Sequence, residues 1–274
     1  MINGMRKWEL RGGFLIDIPD SAIRIHHAMK ARLDQLLVAR GLYESRERAQ
    51  RAIMAGEVKV DGRVVDKAGT KVAEDTPIEV KAPEKYVGRG GFKLEGALRE
   101  FRIEPAGWTC LDIGASTGGF TDCLLQHGAA KVWAIDVGHD QLAWRIRSDP
   151  RVEVREGLNA RYLSRDEIPD LFELIVIDVS FISLTLILPP AVSLLKPGGV
   201  ILPLIKPQFE LRREQVARGG VVREPALHAE AVERVRKFVA AELGTVEWCG
   251  VIESPLKGGE GNTEFLAWLR AQSA

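Results

Sequence analysis

The sequence predicts an α/β protein in which a small α+β domain precedes a doubly wound, mainly parallel sheet. From Phe92 onward, short β-rich runs alternate with helical patterns, which is the order of repeated βαβ units. A glycine-rich turn joins one of these strands to the helix that follows it. Before residue 80 the order is different, because two helical patterns come first and a hairpin signal follows them.

Length and composition limit the classes of protein that fit. The 274 residues suit one or two domains, and 46% apolar with 28% charged residues excludes a mostly disordered chain. Three scattered cysteines provide no disulfide framework or zinc knuckle, which favours a reducing cytosol. The first 13 residues lack the apolar core of a signal peptide. The longest apolar stretch, residues 174–192, contains Asp178 and two prolines, so we expect a cytoplasmic protein without a membrane span.

The first part of the chain divides into an extension, a small domain and a linker. Residues 1–28 are weakly patterned, and we predict an extension of uncertain order there. Within the small domain, residues 29–82, Ser45 caps the second helix and Asp61-Gly62 marks a tight hairpin turn. Three glycines within residues 83–91 predict a linker. The predicted elements are helices over residues 33–41 and 45–55, a hairpin over residues 58–65 and a strand over residues 77–80.

The large domain, residues 92–274, carries the alternating pattern. The predicted helices cover residues 92–101, 120–127, 140–147, 184–195 and 226–242. The predicted strands cover residues 109–113, 131–135, 152–154, 174–177, 200–205, 246–252 and 265–269. Doubly wound sheets bind ligands at the carboxyl ends of their strands, so we expect the functional residues there.

The glycine-rich turn after the first of these strands indicates a nucleotide-like cofactor. A dinucleotide site needs a glycine at the middle position so that the backbone can approach a pyrophosphate, and Ser116 occupies that position. S-adenosylmethionine has no phosphate, and this turn therefore favours it over a nicotinamide cofactor. Asp112 suits the ammonium of that cofactor, and Asp136 suits two ribose hydroxyls. The predicted cofactor-binding residues are Asp112, Gly114, Ser116, Gly118, Asp136, Asn159 and Asp178.

Four charged residues are expected at the same edge of the sheet. Asp178 and Lys206 each end a buried strand, where an unpaired charge is costly. Glu264 precedes the last strand, and Lys93 lies in the helix before the first one. Two lysines and two carboxylates balance in charge, and a lysine can activate a ribose hydroxyl either as a base or as a cation that stabilises the alkoxide. This set predicts O-methylation, and no His/Cys cluster suggests a metal.

These motifs resemble the TlyA-type rRNA methyltransferases, also known as haemolysin A, and the similar FtsJ class of ribose 2′-O-methyltransferases. The segments that carry the resemblance are residues 112–119 (DIGASTGG), 178–184 (DVSFISL), 206–210 (KPQFE) and 261–264 (GNTE). The resemblance implies a Rossmann-like class I methyltransferase fold and a cytidine ribose in ribosomal RNA as substrate. It also implies that the family's Lys-Asp-Lys-Glu tetrad corresponds to Lys93, Asp178, Lys206 and Glu264.

Residues 30–80 resemble the small RNA-binding domain shared by a ribosomal small-subunit protein, pseudouridine synthases and some tRNA synthetases. Residues 30–95 contain 14 Lys and Arg against 11 Asp and Glu, whereas residues 96–274 contain 20 against 24, so the basic excess lies in the small domain. Arginines clamp phosphates on folded RNA, and the candidates are Arg32, Arg46, Arg48 and Arg51.

We therefore expect an enzyme that acts on rRNA within a ribosomal subunit or its precursor, with no obligate protein partner evident. Two alternatives remain from the sequence. One is a non-catalytic RNA-binding or ribosome-associated protein, and the other is a membrane-active haemolysin.

Overall fold

The structure is a computed structural model that describes residues 8–11, 14–17, 30–82 and 84–272. The chain divides into two compact units, Met1–Glu84 and Lys85–Ala274. Among the described residues, no helix is long and apolar enough to cross a membrane.

Over its described residues, the first unit contains two short helices and two antiparallel sheets. Its elements are β1 (Trp8–Arg11), β2 (Phe14–Asp17), β3 (Lys30–Arg32), α1 (Leu33–Ala39), α2 (Arg46–Met54), β4 (Val58–Val60), β5 (Arg63–Val64), β6 (Lys71–Ala73) and β7 (Ile78–Lys81). The larger sheet has the order β1-β2-β7-β4-β5, and β3 pairs with β6. Buried side chains of both helices, including Leu33, Leu37 and Ile53, pack with Val58 and Ile78 of the sheet.

Both predicted helices and the hairpin of the first unit are confirmed. The Ser45 hydroxyl accepts a hydrogen bond from the Arg48 backbone N–H at 3.3 Å, which is the N-cap that the sequence predicts. Two parts of the extension, β1 and β2, form a hairpin that adds to β7, and the rest of residues 1–28 lies outside the described residues. Strands β3 and β6 were not expected, because three-residue strands carry too little periodicity to be recognised.

The second unit is a seven-stranded sheet with helices on its faces. Its helices are α3 (Gly90–Phe101), α4 (Gly119–Gln126), α5 (Trp144–Arg147), α6 (Leu188–Ser193), α7 (Pro207–Glu210) and α8 (Pro225–Glu242). Its strands are β8 (Thr109–Ile113), β9 (Lys131–Asp136), β10 (Val152–Glu156), β11 (Phe172–Ile177), β12 (Leu195–Ile205), β13 (Val246–Glu253) and β14 (Phe265–Ala271). The sheet order is β10-β9-β8-β11-β12-β14-β13, with the first five strands parallel and β14 antiparallel to both of its neighbours.

This topology confirms the doubly wound, mainly parallel sheet. The chain leaves β8 towards β9 on one side and later returns to place β11 on the other side, so the point of reversal lies between β8 and β11. Ligands bind at such a point, beyond the carboxyl ends of the strands. One apolar cluster includes Leu111, Ile113 and Ile175, and a second includes Cys110, Leu174 and Val176, because successive residues of a strand face opposite sides of the sheet.

Three segments of the second unit differ from the expectation. Only Trp144–Arg147 of the predicted helix 140–147 is helical, and Asp140 has a left-handed φ of +56°. Helix α6 begins at Leu188, because prolines at its first positions lack the N–H that a helix interior needs. In the region predicted as a linker, Tyr86 is buried and the Val87 N–H donates to the Asp122 carboxylate at 2.8 Å. Those residues therefore pack within the larger unit.

Candidate functional site

The carboxyl edge of the sheet brings together the residues that end its central strands. Ile113 is paired with Ile177, so Gly114 and Asp178 follow side by side after β8 and β11. Ile205 is paired with Phe265 in the antiparallel strands β12 and β14, so Lys206 and Glu264 occupy neighbouring positions. Four consecutive strands thus present a glycine turn, a carboxylate, a lysine and a second carboxylate at one edge.

The turn after β8 needs glycine at position 114 for a steric reason. Gly114 has a φ of +85°, and a Cβ at this position would collide with the carbonyl oxygen of Asp178. Ser116 also has a left-handed φ, of +47°, and its backbone N–H donates to the Asp136 carboxylate at 2.8 Å. The turn is therefore held by the carboxylate at the end of the next strand.

Two cavities meet at this turn. The larger has a volume of about 580 Å³ and extends along the ends of β8, β9 and β11 towards Asn159. The smaller, of about 160 Å³, lies between the turn and the first residue of α3. Both are lined by Gly114, Ser116 and Asp178, so a ligand that spans them would pass over the turn.

Asp136 and Asn159 line the larger cavity, as expected for cofactor-binding residues. The two carboxylate oxygens of Asp136 accept backbone hydrogen bonds, one from Ser116 and one, at 2.8 Å, from Gly138. Each oxygen has a second lone pair that can accept from a hydroxyl. The Asn159 side chain accepts from the Arg161 N–H at 3.1 Å, and its amide nitrogen remains a possible donor to a ligand.

Asp112 lies beneath the turn rather than in the wall of either cavity. Its side chain is fully buried, and Oδ2 accepts a hydrogen bond from the Thr121 hydroxyl of α4 at 2.6 Å. Burial raises the pKa of Asp112 to about 7, and the nearby Asp178 carboxylate adds to the rise. Oδ1 makes no hydrogen bond, so one buried acceptor is left for a group such as an ammonium or a water.

Lys206 and Asp178 form an ion pair at the cavity. The Lys206 Nζ atom lies 2.7 Å from Asp178 Oδ1, and both side chains are mostly buried. Nζ also donates to the Ser180 hydroxyl at 2.9 Å. Among the described residues, Asp178 Oδ1 has no hydrogen-bond partner despite its short distance from Nζ, so Ser180 occupies one of the three N–H donors of the ammonium and the others are left for further partners. The sequence analysis missed Ser180, although its place in the segment after β11 was a signal.

Lys93 and Glu264 form a second, more deeply buried ion pair. Their Nζ and Oε2 atoms are 2.5 Å apart, and the side chains are only 10% and 3% exposed. A Cβ at position 258 would collide with Glu264 Oε1, so any larger residue there would displace this carboxylate. The buried Asn262 side chain accepts from the Val222 N–H and donates to the Gly220 carbonyl, which holds the segment before Glu264.

An exposed aromatic ring stands at the rim of the larger cavity. Phe181 is 90% exposed, has a φ of +64° and contacts the Phe209 ring at a centroid distance of 5.1 Å. A bulky residue in the left-handed region is strained, and such strain concentrates at functional sites. Sequence analysis did not select Phe181, although it lies within residues 178–184, one of the segments that carry the family resemblance.

The four candidate arginines of the first unit have two different environments. Arg32 and Arg46 donate to the buried Asp34 carboxylate at distances of 3.0 to 3.1 Å, and these donors hold the pKa of Asp34 well below its usual range. Arg48 pairs with an exposed glutamate, and both Arg48 and Arg51 line a cavity of about 890 Å³ in this unit. Arg32 and Arg46 therefore have a structural partner, although nearly half of each side chain is exposed.

The site residues fit S-adenosylmethionine better than a phosphate-containing cofactor. The turn presents a serine where a pyrophosphate needs glycine, the buried Asp112 Oδ1 is an unused acceptor, and Asp136 can accept from hydroxyls. Among the residues that the structure describes, no group of three or more His, Cys, Asp or Glu could hold a metal ion.

Comparison with known proteins agrees with this fit. The family model described as FtsJ-like methyltransferase matches residues 86–271, and the S4 domain model matches residues 31–78. YqxC of Bacillus subtilis is 51% identical over 88% of this chain and 85% of its own length. The Mycobacterium tuberculosis protein named 16S/23S rRNA (cytidine-2'-O)-methyltransferase TlyA is 48% identical over 90% of this chain and 92% of its own length. A solved structure from Streptococcus thermophilus has a TM-score of 0.67 and 44% identity, and the match covers 90% of each chain.

Proposed function

The chain belongs to the FtsJ-like methyltransferase family and carries an S4 domain, and we propose that it methylates the 2′-hydroxyl of a cytidine in ribosomal RNA. The observation that carries the proposal is the pair of lysine–carboxylate contacts at the carboxyl edge of the sheet, of which the contact of Lys206 with Asp178 borders the cavity over the glycine turn. Such a set can hold and activate a hydroxyl without a metal.

The cavity over the turn holds the cofactor in this proposal. S-adenosylmethionine supplies an electrophilic methyl group when it is bound. Asp136 accepts hydrogen bonds from the ribose hydroxyls, and Asn159 contacts the same part of the cofactor. Asp112 Oδ1, which lies beneath the turn, receives the ammonium through a water, and Gly114 and Ser116 form the floor. Gly118, with a φ of +93°, allows the turn to enter α4. Asp178 borders both cavities and also contacts Lys206, so it joins the cofactor cavity to the proposed catalytic lysine.

Lys206 activates the substrate hydroxyl in the proposed reaction. Asp178 pairs with its ammonium and Ser180 accepts one N–H, and a remaining N–H stabilises the substrate oxygen while the hydroxyl proton passes to water and the oxygen takes the methyl group. The buried pair of Lys93 and Glu264 supports the neighbouring strand ends and completes the site.

Recognition of the RNA involves both units. Arg48 and Arg51 line a cavity of the S4 domain and are placed to contact phosphates, and Arg32 and Arg46 add exposed guanidinium surface. The exposed Phe181 ring at the cavity rim can stack on a base that has left the RNA helix. The substrate in this proposal is rRNA within a ribosomal subunit or its precursor, and the protein acts in the cytoplasm.

The test is methyl transfer to purified ribosomal subunits and to protein-free rRNA, with the modified riboses mapped by resistance to alkaline hydrolysis. We expect 2′-O-methylcytidine at a defined position. A protein that consists of residues 85–274 is expected to bind S-adenosylmethionine and to modify rRNA poorly, because it lacks the S4 domain. Absence of any new 2′-O-methylation with both substrates, despite measured cofactor binding, would contradict the proposal and favour a non-catalytic RNA-binding protein.

A further inference from the structure

Glu210 is a buried carboxylate that has no part in the chemistry described above. It is the last residue of α7, it is 1% exposed, and it does not line either of the two cavities at the glycine turn. Its Oε2 accepts a hydrogen bond from the Ser183 hydroxyl at 2.6 Å, and its Oε1 accepts from the Leu184 backbone N–H at 2.8 Å. Both donors lie in the segment that follows β11, whereas Glu210 lies in the segment that follows β12.

The segments 178–184 and 206–210 contact each other at three levels. At the near end, Lys206 contacts Asp178 and Ser180. In the middle, the ring of Phe209 contacts the ring of Phe181. At the far end, the carboxylate of Glu210 holds Ser183 and Leu184, so the contacts run along the whole length of both segments.

The short chain between Lys206 and Glu210 is rigid, so the contacts of Glu210 also restrict the position of Lys206. Pro207 occupies the first helical position with its φ restricted by the ring, and no glycine interrupts the short helix. Glu210 therefore fixes both the far end of α7 and the exit of the loop that begins at Asp178. The left-handed backbone of Phe181 lies inside this doubly fixed loop, which agrees with the view that surrounding contacts maintain strained conformations.

Burying the Glu210 carboxylate costs free energy of desolvation, which would be unfavourable if this residue did not fix the two segments. Burial raises the pKa of Glu210, and the hydrogen bonds from Leu184 and Ser183, with a smaller effect of the Arg234 guanidinium of α8, oppose that rise. An apolar side chain of similar volume would avoid the desolvation cost, but it would leave the buried Leu184 N–H without its acceptor.

We propose that Glu210 is a positioning residue for methyl transfer, which holds the loop of Asp178 against the helix of Lys206 and thereby sets the geometry of their ion pair. The inference rests on the proposed function of Lys206. Glu210 acts through the two segments and does not touch the cofactor or the substrate.

The test compares three variants of the full chain with a matched control. Glu210→Leu keeps bulk and loses both hydrogen bonds, so we expect kcat to fall about 100-fold, the effect of a displacement of about 1 Å at a catalytic group. Glu210→Gln can still accept a hydrogen bond from Leu184 and donate one to Ser183, so its kcat should be much closer to wild type than that of Glu210→Leu. Ser183→Ala removes the bond to Glu210 together with the two contacts of the same hydroxyl with Thr185, and should lower kcat about tenfold. Ser193→Ala, which removes a hydroxyl bonded to the Pro190 carbonyl, should have wild-type kcat.

The affinity for S-adenosylmethionine, measured by calorimetry, separates positioning from general damage. We expect all four variants to bind the cofactor within about twofold of wild type, since no changed residue lines its cavity. Loss of cofactor affinity in parallel with kcat, or a Glu210→Leu enzyme with wild-type kcat, would overturn the proposal. If Glu210→Leu does not fold, the comparison of Ser183→Ala with Ser193→Ala decides in the same way.

A substrate-free measurement keeps this proposal separate from the proposed function. If the wild-type protein methylates no rRNA, the proposed function fails. The positioning of Lys206 is then assessed by the pH dependence of its modification by an amine-reactive reagent, followed by mass spectrometry. We expect Ser183→Ala to shift that profile and Ser193→Ala to leave it unchanged. Identical profiles for wild type and Ser183→Ala would overturn the positioning role.

Discussion

Replacement of Glu264 by glutamine is expected to destabilise the larger unit by much more than loss of an exposed carboxylate does. The substitution leaves the Lys93 ammonium, on a side chain only 10% exposed, without its charge partner at 2.5 Å. Removing one member of a buried ion pair costs about 3–5 kcal/mol, because the other charge remains desolvated. For a unit of this size the same loss corresponds to a fall in Tm of about 6–20 °C.

The assay is urea denaturation followed by circular dichroism, with three further variants. Glu233→Gln breaks an exposed i,i+3 pair on α8 and should cost about 0–0.5 kcal/mol. Lys93→Met should lower the free energy of unfolding about as much as Glu264→Gln does. The double variant Lys93→Met/Glu264→Leu should lose less free energy of unfolding than the two single changes together. All variants at positions 93 and 264 should lose methyl transfer, since the site requires the pair.

Two results would refute this reasoning. One is a Glu264→Gln protein as stable as Glu233→Gln, which would mean that the Lys93 charge reaches water in the folded state. The other is strict additivity in the double variant, which would mean that the two side chains do not interact.

The remaining predictions concern the cofactor cavity and its edge. Asp136→Ala should weaken S-adenosylmethionine binding at least tenfold by calorimetry, because it removes two hydrogen-bond acceptors. The control Asp140→Ala, at a side chain that is 94% exposed, should leave this affinity unchanged. Lys206→Ala should lower kcat at least about 100-fold with cofactor affinity unchanged, and substantial activity in Lys206→Arg would favour a cationic role over a base. Asp112→Asn should bind the cofactor less well and should also change the dependence of stability on pH. With the pKa of Asp112 raised to about 7, the unfolded chain loses this proton first, so wild-type stability should fall between about pH 4 and pH 7, by up to about 4 kcal/mol relative to Asp112→Asn in urea denaturation. A flat difference across that range would contradict the burial argument.

Local sequence signals predicted much of the architecture. The alternating pattern located all seven strands of the large sheet, with bounds within five residues, and the central parallel strands were clearest because buried parallel strands are continuous apolar runs. Ser45 and Asp61-Gly62 predicted a helix start and a hairpin turn, because caps and tight turns depend on the chemistry of one or two residues. The glycine turn and the charged residues at strand ends predicted a cofactor site, since the fold places strand ends at one edge.

The tertiary structure alone decided which of these residues contact each other. Sequence analysis treated Asp112 as a residue of the cavity, but the alternation of β8 turns it towards Thr121 and leaves a single buried oxygen unused. It treated Arg32 and Arg46 as equivalent to Arg48 and Arg51, but the first two converge on Asp34. The pairing of Lys93 with Glu264 joins side chains 171 residues apart. Such contacts depend on the register of strands and on the packing of helices over the whole chain, and no local pattern of residues records them.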